Sequence, residues 1–536
     1  MARFVRSAVL FAALTIVMTW PQAARLATSA QEHQDVYFNM WRFAWVAHAL
    51  ASAPSHLFDG NIFYPEPRAL TFSDAMPVEA AIAAPLLWSR VPPVLVHNLL
   101  LLAGIVLSAA GIAMLARRLT GSSGAGLTAG VIFAFAPYRF EHYMHMELQW
   151  TVWIPWAFWA LHRTIDTGHL RDGALAGVFT ALQFLSSIYY GIFLATLLAL
   201  SAALLLCGAR GDVWKRGVRA LLLGALVGGA VLAPYVVPYG KTRQQVGSRS
   251  EAQVLEFGAR PSSYLVATDG NLLYGARSAP RGRPERRLFP GMLALLLALV
   301  GLLLRRPTHE AIVYLLAGIT AFEMSLGLRG YSFAFLYEHV PFFTALRAPA
   351  RLGIFVVFFL AILAAYGHAA IEGTLAKRGA RVLTAGIVAV LLLEYWVAPL
   401  RLVPFPNTPP PLYAWLAKQP RGIVVEFPMP MPDTLPGEEA RYAYMSTFHW
   451  MPLLNGYSGY YPRPYLALLN DLSGFPDEKA ASVLRQRAAR YVIVHTSLYT
   501  PDRGGEVLTQ ALADPALAEL GHFDDGHGTA VVFTLR

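Results

Sequence analysis

Long apolar stretches recur along most of this chain, and they constrain its fold more than any other feature. A helix that crosses the hydrocarbon core of a membrane needs about 20 mostly apolar residues. Eleven stretches have this character, and they begin near Ala8, Pro93, Leu127, Thr151, Ala174, Tyr190, Val218, Leu288, Ala311, Leu352 and Val382. Only 14% of the residues are charged, against about 25% in soluble domains. We therefore predict a mainly α, polytopic helical membrane protein with about eleven transmembrane helices.

Basic residues flank alternate ends of these stretches, which predicts the orientation of the chain. Lys and Arg are retained on the cytoplasmic side of bacterial membrane proteins. The six basic clusters are Arg3 and Arg6; Arg117 and Arg118; Arg163 and Arg171; Arg210, Lys215 and Arg216; Arg305 and Arg306; and Lys377, Arg378 and Arg381. All six fall on one side, so we predict an inner-membrane protein with a cytoplasmic N-terminus and an external C-terminus. Because the basic residues collect at the ends of apolar stretches, we attribute the net charge of +10 to membrane orientation and expect no nucleic-acid partner.

The predicted transmembrane region, residues 1–400, carries two external loops. The first, 24–89, is too polar to cross the membrane. The apolar side of a helix lying in the membrane interface is expected to be formed there by Phe38, Trp41, Phe43, Trp45 and Val46. The second, 239–287, holds one Lys and eight Arg against four acidic residues. The orientation rule does not explain this positive charge, because it lies on the side that should be poor in Lys and Arg. One or two of these arginines could bind a lipid phosphate or diphosphate, or the loop could be solvated and attract anionic headgroups.

The composition changes after residue 400, where a proline-rich linker begins. Short β-type runs follow at 422–427, 491–495 and 530–535, and a helical pattern occupies 478–489. We predict that 401–536 forms a small extracytoplasmic α/β domain.

Asp35 is the acidic residue that the sequence singles out in the first external loop. It closes the string Glu32-His33-Gln34-Asp35 shortly after the first helix. A carboxylate held at the membrane interface can accept a proton from an incoming hydroxyl group or bind a metal ion. A solvated loop charge or a helix cap would have the same sequence, so both interpretations stay open at this point.

Six strings in a fixed order carry a resemblance that extends over nearly the whole chain. They are DVYFNMWRFAW at 35–45, HLFDGNIFYPEP at 56–67, PYRFEHYMH at 137–145, SSIYYG at 186–191, LRAPARLG at 346–353 and STFHWMPLLNGYSGYYP at 446–462. Their order resembles a group of bacterial polytopic membrane proteins of the GT-C type. GT-C glycosyltransferases transfer sugars from polyprenyl-phosphate donors.

The resemblance implies a GT-C-like fold and an enzyme that moves a hexosyl or pentosyl unit at the external membrane face. The donor would be a polyprenyl-phosphate sugar, and the acceptor an envelope glycan, a lipid or a protein. Asp35 would act as the catalytic base or help to bind a divalent metal, Mg or Mn. Candidates for a second acid or metal ligand are Glu141, Glu147 and Asp74.

Basic side chains near the external helix ends are candidates for binding the donor phosphate. Arg139, His142 and His145 recur at spacings of three, which places them on one face of a helix, while Arg347 and Arg351 are four residues apart. Guanidinium and imidazole groups pair well with phosphate oxygens, and the two His could instead bind a divalent metal together with a carboxylate. Interfacial Arg and His also serve as membrane anchors, which is the alternative interpretation.

Aromatic side chains could stack on the sugar. The candidates for this contact are Tyr189, Tyr190, Trp450 and Tyr457. Such residues also form aromatic belts at membrane interfaces.

Two other functions are compatible with the sequence. A transporter or flippase for a lipid-linked glycan would be expected to carry charges near the middle of the membrane, whereas the candidate charges here lie near helix ends. A non-catalytic envelope assembly protein would use its C-terminal domain to bind a glycan or a partner. Only the enzyme requires that Asp35→Asn abolish sugar transfer while the protein remains folded.

Overall fold

The computed structural model describes residues 2–208, 211–304 and 306–536. Arg210 and Arg305, which belong to the predicted basic clusters, lie outside the described residues, as does the side chain of Arg3. The chain forms two compact units: unit 1 contains 1–24, 99–236 and 248–400, and unit 2 contains 25–98, 237–247 and 401–536. One break between the units falls at residue 400. The assignment of 401–536 to an extracytoplasmic domain stays a prediction.

Helices make up most of the described chain. In chain order they are α1 (Ala2–Met18), α2 (Gln34–Ser52), α3 (Pro77–Trp88), α4 (Pro93–Thr120), α5 (Ser123–Phe135), α6 (Pro137–Glu141), α7 (Met146–Gln149), α8 (Trp153–Thr167), α9 (Leu170–Ser186), α10 (Ile188–Cys207), α11 (Asp212–Val246) and α12 (Glu251–Phe257). They continue with α13 (Gly275–Ser278), α14 (Met292–Leu303), α15 (His309–Ser325), α16 (Tyr331–His339), α17 (Gly353–Glu372), α18 (Lys377–Glu394), α19 (Pro411–Leu416), α20 (Glu439–Met445), α21 (Arg463–Asp471), α22 (Glu478–Gln486) and α23 (Pro501–Ala513).

The apolar helices are those of a multi-pass membrane protein. A helix lies on each of the eleven predicted stretches, namely α1, α4, α5, α8, α9, α10, α11, α14, α15, α17 and α18. Within the described ranges, four helices are long and apolar enough to cross a membrane: α4, α10, α11 and the segment Pro349–Glu372 that contains α17. The predicted number of eleven spans stays a prediction.

Side-chain caps set the first turns of several unit 1 helices. The hydroxyl groups of Ser122 and Thr308 accept hydrogen bonds from backbone N–H groups three residues later, at the starts of α5 and α15. Such caps satisfy donors that a helix start leaves without intrahelical partners. At the other end of α8, Gly168 adopts a left-handed conformation with φ of 64° and closes the helix.

Unit 1 is packed around α17, which contacts α5, α14 and α15. Small residues permit the closest contacts. A Cβ atom on Gly367 of α17 would lie 1.8 Å from the carbonyl oxygen of Leu297 on α14, and one on Gly177 of α9 would lie 1.8 Å from that of Gly224 on α11. Only glycine allows these backbones to approach so closely, as in other membrane helix pairs.

Unit 2 contains a four-stranded sheet with the order β3-β4-β6-β5. Its strands are β3 (Ile423–Phe427), β4 (Ala489–His495), β5 (Leu517–Asp524) and β6 (Thr529–Leu535), while β1 (Ser29–Ala30) and β2 (Val403–Pro404) form a short antiparallel pair. Strands β3 and β4 are parallel, and β6 is antiparallel to both of its neighbours. The three predicted β-type runs coincide with β3, β4 and β6, and β5 lies outside them.

The aromatic side of α2 faces protein. Phe38, Trp41 and Phe43 are at most 2% exposed, and α2 packs against α3 and α20. The prediction that these side chains lie in the membrane interface is therefore wrong. A run of aromatic residues has the same pattern whether lipid or another helix covers it.

The segment 453–461 links several parts of unit 2. The N–H of Tyr64 donates to the carbonyl oxygen of Leu453 (2.9 Å), and the N–H of Tyr460 donates to that of Phe72 (3.0 Å). On its other side, Leu453 forms a parallel bridge with Val424 of β3. The strings at 56–67 and 446–462 therefore meet in the folded chain.

Candidate functional site

Asp35 lies in the first turn of α2, where a negative charge is favoured by the helix dipole. His33 caps this helix, and its Nδ1 accepts a hydrogen bond from the backbone N–H of Asp35 (3.1 Å). The hydroxyl group of Tyr457 donates to Oδ1 of Asp35 (2.7 Å). The carboxylate is 20% exposed, so it is positioned by protein contacts and still reaches solvent.

Buried polar groups hold the segment that carries Tyr457. Asn455 makes paired hydrogen bonds with the backbone of Glu426 in β3: its Oδ1 accepts from the N–H (2.7 Å) and its Nδ2 donates to the carbonyl oxygen (2.9 Å). Glu439 of α20 accepts from Asn455 Nδ2 (3.2 Å) and from the N–H of Gly456 (2.8 Å). Burial raises the pKa of Glu439 to about 8, so this carboxyl group is largely protonated near pH 7.

Asp74, a candidate second acid, lies in a half-buried loop before α3. Its two neighbours are fixed by one hydroxyl group, since Tyr239 donates to the carbonyl oxygen of Ser73 (2.8 Å) and accepts from the N–H of Ala75 (2.8 Å). The 453–461 segment contacts this loop at Phe72. The 453–461 segment therefore contacts Asp35 through Tyr457, and it contacts the backbone two residues before Asp74 through Tyr460.

A buried charge cluster in unit 1 contains two of the predicted phosphate ligands. Arg351, just before α17, donates from Nη2 to Oε1 of Glu285 (2.8 Å). The Nε2 atom of His142 lies 3.8 Å from Oε2 of the same carboxylate, and the ring of Tyr189 lies 5.0 Å from the Arg351 guanidinium carbon. Arg351 is 7% exposed and His142 2%.

The electrostatics of this cluster are dominated by one ion pair. Burial alone would raise the pKa of Glu285, but the charge and hydrogen bond of Arg351 outweigh it and hold that pKa well below its usual range. Burial lowers the pKa of His142 to about 3, so its ring is neutral near pH 7. Among the described residues, Nε of Arg351 and both ring nitrogens of His142 have no hydrogen-bond partner. Buried polar atoms of this kind call for a ligand or water.

Arg139 is positioned differently from His142. Its guanidinium donates to the carbonyl oxygens of Phe133 (2.6 Å) and Gln149 (3.1 Å) and to the hydroxyl group of Thr151 (2.5 Å). The side chain is 1% exposed, and its donors hold the turn between α6 and α8 together. We therefore leave Arg139 out of the phosphate-binding set.

The remaining basic and acidic candidates surround the same part of unit 1. The backbone N–H of Arg347 donates to the Tyr189 hydroxyl group (2.8 Å), and its guanidinium lies 5.3 Å from the Phe257 ring. His145 is the residue before α7, and Glu147 lies in the first turn of that helix.

Glu141 is engaged by Arg287, a residue of the arginine-rich loop 239–287, which we call the basic loop. Nη1 of Arg287 lies 3.3 Å from a Glu141 oxygen. Burial raises the pKa of Glu141, and hydrogen bonding to Thr268 and the charge of Arg287 partly offset this effect. The carboxylate of Glu141 thus already balances an arginine, and the role of a second acid stays a prediction for all three candidates.

The aromatic candidates differ in accessibility. Tyr190 is fully buried, and its hydroxyl group shares a hydrogen bond with that of Tyr138 (3.0 Å), so it does not fit a sugar-contact role. Trp450 is half-buried with a φ of 55°, a conformation that non-glycine residues seldom adopt, and its ring stacks on His48 at 4.1 Å. Strained backbone of this type is concentrated at functional sites.

The divalent metal, Mg or Mn, stays a prediction. Across the described ranges of the chain, no group of three or more His, Cys, Asp and Glu side chains is arranged to hold a metal ion.

The fold is shared with solved membrane glycosyltransferases. Arabinofuranosyltransferase AftD from Mycobacteria aligns with 99% of this chain at a TM-score of 0.67 and 15% identity, and the match covers 40% of that protein. The chain thus spans well under half the length of AftD. Oligosaccharyltransferase AglB from Archaeoglobus fulgidus, solved with an inhibitory peptide and a dolichol-phosphate, aligns with 98% of this chain at a TM-score of 0.56 and 12% identity, covering 74% of AglB.

No protein-family model matches the chain, and no curated protein matches it in sequence. The structural matches confirm the predicted resemblance to GT-C glycosyltransferases at the level of the fold. At these identities they show the fold alone, and the reaction has to be argued from the residues of this chain.

Proposed function

We propose that this protein is a glycosyltransferase that moves a sugar from a polyprenyl-phosphate donor to an envelope glycan, lipid or protein at the external membrane face. The observation that carries the proposal is the placement of Asp35 in a GT-C fold, with Tyr457 donating to its Oδ1 atom at 2.7 Å. A carboxylate that is oriented by a hydrogen bond from a tyrosine, and still open to solvent, is suited to act as a general base. Both solved neighbours are named as transferases of sugars, and AglB was solved with a dolichol-phosphate.

In the proposed reaction, Asp35 takes the proton of the acceptor hydroxyl group. The acceptor oxygen then attacks the anomeric carbon of the donor sugar. The bond between that carbon and the phosphate oxygen breaks, and its electron pair leaves with polyprenyl phosphate. The phosphate gains a negative charge in this step, so cationic donors that bind it more tightly as the charge develops would lower the barrier.

Phosphate recognition is assigned to the buried cluster of unit 1. Arg351 is fixed by Glu285 through one nitrogen, and its Nε has no partner among the described residues. His142 lies beside the same carboxylate, and its ring nitrogens likewise have no hydrogen-bond partner in the described part of the chain. Arg347 adds a further guanidinium. Because the Glu285 charge neutralises one arginine, we assign the net attraction for the phosphate chiefly to Arg347 and to the free donors of Arg351 and His142.

The proposed location is the inner membrane, with a cytoplasmic N-terminus, about eleven spans and residues 401–536 outside. The six basic clusters on one side of the predicted topology support this orientation.

The test uses a deletion strain and mass analysis of its envelope glycans and lipid-linked intermediates. Loss of one sugar, together with accumulation of one lipid-linked donor, would identify both substrates. Asp35→Asn should fail to restore transfer, with a loss of about 100-fold or more, whereas Glu32→Gln, an exposed carboxylate three residues earlier, should restore it. Normal transfer by a folded Asp35→Asn variant would exclude the proposed role.

A further inference from the structure

An arginine-lined groove lies on unit 1, formed by parts of the basic loop. Its volume is about 460 Å³, within the range of about 300–1,000 Å³ that is usual for small-ligand pockets. The guanidinium groups that line it belong to Arg260, Arg281, Arg283 and Arg286.

The positive charge of this groove is poorly balanced by the protein. Within the described part of the chain, the one ion pair made by these four arginines joins Arg283 to Glu256. The pKa of Arg286 lies below its ordinary value, first because the side chain is partly buried and then because Arg260 and Arg283 repel its charge. Clustering like charges disfavours the folded state, so an anion bound here would relieve a repulsion that the fold retains.

The groove is separate from the buried cluster that holds Arg351. The two adjoin one turn, Pro284–Arg286. Glu285 directs its carboxylate to Arg351, whereas the next residue, Arg286, lines the groove. Neighbouring residues of the turn therefore serve two different charge environments.

We propose that this groove binds a phosphate or diphosphate group, at a site additional to the one assigned to the sugar donor. Guanidinium forks match phosphate oxygens in two places, and several of them suit a group with more than one negative charge. The groove also has an apolar side, where Leu265 is 73% exposed and Val266 adjoins it. A phosphate attached to a lipid would cover that leucine, while a soluble phosphate would use the arginines alone.

Binding is measured on the full-length protein with two probes. The first is inorganic pyrophosphate, titrated calorimetrically against protein in zwitterionic detergent. The second is phosphatidylglycerol, whose retention is compared with that of phosphatidylcholine by native mass spectrometry of nanodisc preparations. The variants are Arg260→Gln and Arg286→Gln, and the matched control is Arg277→Gln, an exposed arginine of the same loop that does not line the groove.

Each groove variant is expected to weaken binding of at least one probe by about 10-fold or more, as for the loss of a charge-assisted hydrogen bond. The control should bind like the wild type. Weaker binding of pyrophosphate supports a soluble source, and weaker retention of phosphatidylglycerol alone supports a lipid source. Wild-type binding by both groove variants, equal loss in the control, or no binding of either probe would overturn the proposal.

Folding of the variants can be checked independently. Since Arg286 is repelled by its neighbours, Arg286→Gln should unfold no earlier than the wild type when no anion is present. Because these experiments do not measure sugar transfer, a failure of the groove proposal would not count against the proposed transfer reaction. A failure of the transfer reaction would likewise not count against anion binding in the groove.

Discussion

The ion pair between Arg351 and Glu285 provides a quantitative test of the buried cluster in unit 1. Replacing either residue with Gln leaves its partner charged inside the protein. Unit charges about 4 Å apart attract by about 4 kcal/mol at an effective dielectric constant of about 20, and removing one partner of a buried pair typically costs about 3–5 kcal/mol. Glu285 is 16% exposed, so we expect losses near the lower end, about 3 kcal/mol for each single variant.

The double variant Arg351→Gln/Glu285→Gln should lose less than the sum of the two single losses. A coupling energy of about 2–3 kcal/mol is expected for residues in direct contact. The assay is SDS-induced unfolding in mixed micelles, followed by tryptophan fluorescence. A matched cycle on Arg283 and Glu256, whose side chains are 65% and 47% exposed, should give a coupling of about 0–1 kcal/mol.

The sign of the pH dependence is also fixed. Because the pKa of Glu285 is lowered in the folded protein, the pair's contribution is fully present above the ordinary value of 4.5 and is lost only at more acidic pH. The coupling should therefore be the same at pH 6 and pH 8. Single variants that cost less than about 1 kcal/mol, with no coupling between them, would show that the pair is not buried as described.

Further predictions concern unit 2, the helix contacts and the topology. Because the carboxyl group of Glu439 has a raised pKa, the wild type should lose stability as pH rises from 4.5 to about 8. Glu439→Gln should not show this pH-dependent loss. Urea unfolding at several pH values measures it, and a pH profile equal to that of the wild type would contradict the prediction. His495 lies between two buried carboxylates; burial lowers its pKa, but hydrogen bonds to the carboxylates raise the pKa overall. Its contribution to the free energy of unfolding is therefore complete below pH 6.5 and is lost as pH rises through the raised pKa. His495→Gln should flatten that part of the pH profile of stability. Gly177→Val should destabilise unit 1 by about 2 kcal/mol or more, since an added Cβ would lie 1.8 Å from a backbone oxygen, and thermal unfolding equal to that of the wild type would refute the close contact. A phosphatase reporter fused after Arg536 should be active, and a silent phosphatase with an active cytoplasmic reporter would reverse the proposed orientation.

Local patterns predicted much of the secondary structure. Apolar stretches alone indicate where the membrane helices lie, because each stretch must satisfy its backbone hydrogen bonds within itself. The runs at 422–427, 491–495 and 530–535 are recognisable as strands because they are rich in Val, Ile and Phe. Strand β5 lacks that composition and contains Gly521, and it is formed through its pairing with β6, which the local sequence does not encode.

The candidate site was predictable only in part. Asp35 is recognisable from its place after the first helix, and Arg351 from its place before a later one. Glu285 and Glu439 were missed because each lies in a polar stretch, where a carboxylate is usually solvated. Both carboxylates are instead held by hydrogen bonds from residues elsewhere in the chain, Glu285 by Arg351 and Glu439 by Asn455. Arg139 shows the opposite case, since its spacing suggested a ligand while its donors bind backbone carbonyls.

The length of α11 and its prolines have a consequence for where this helix bends. The helix has 35 residues and is therefore about 50 Å long, whereas the hydrocarbon core is about 30 Å thick. About 31 Å of helix separates Val218, where its apolar stretch begins, from Tyr239. Pro234 and Pro238 each remove a backbone donor near the end of this apolar stretch, so α11 bends most easily there.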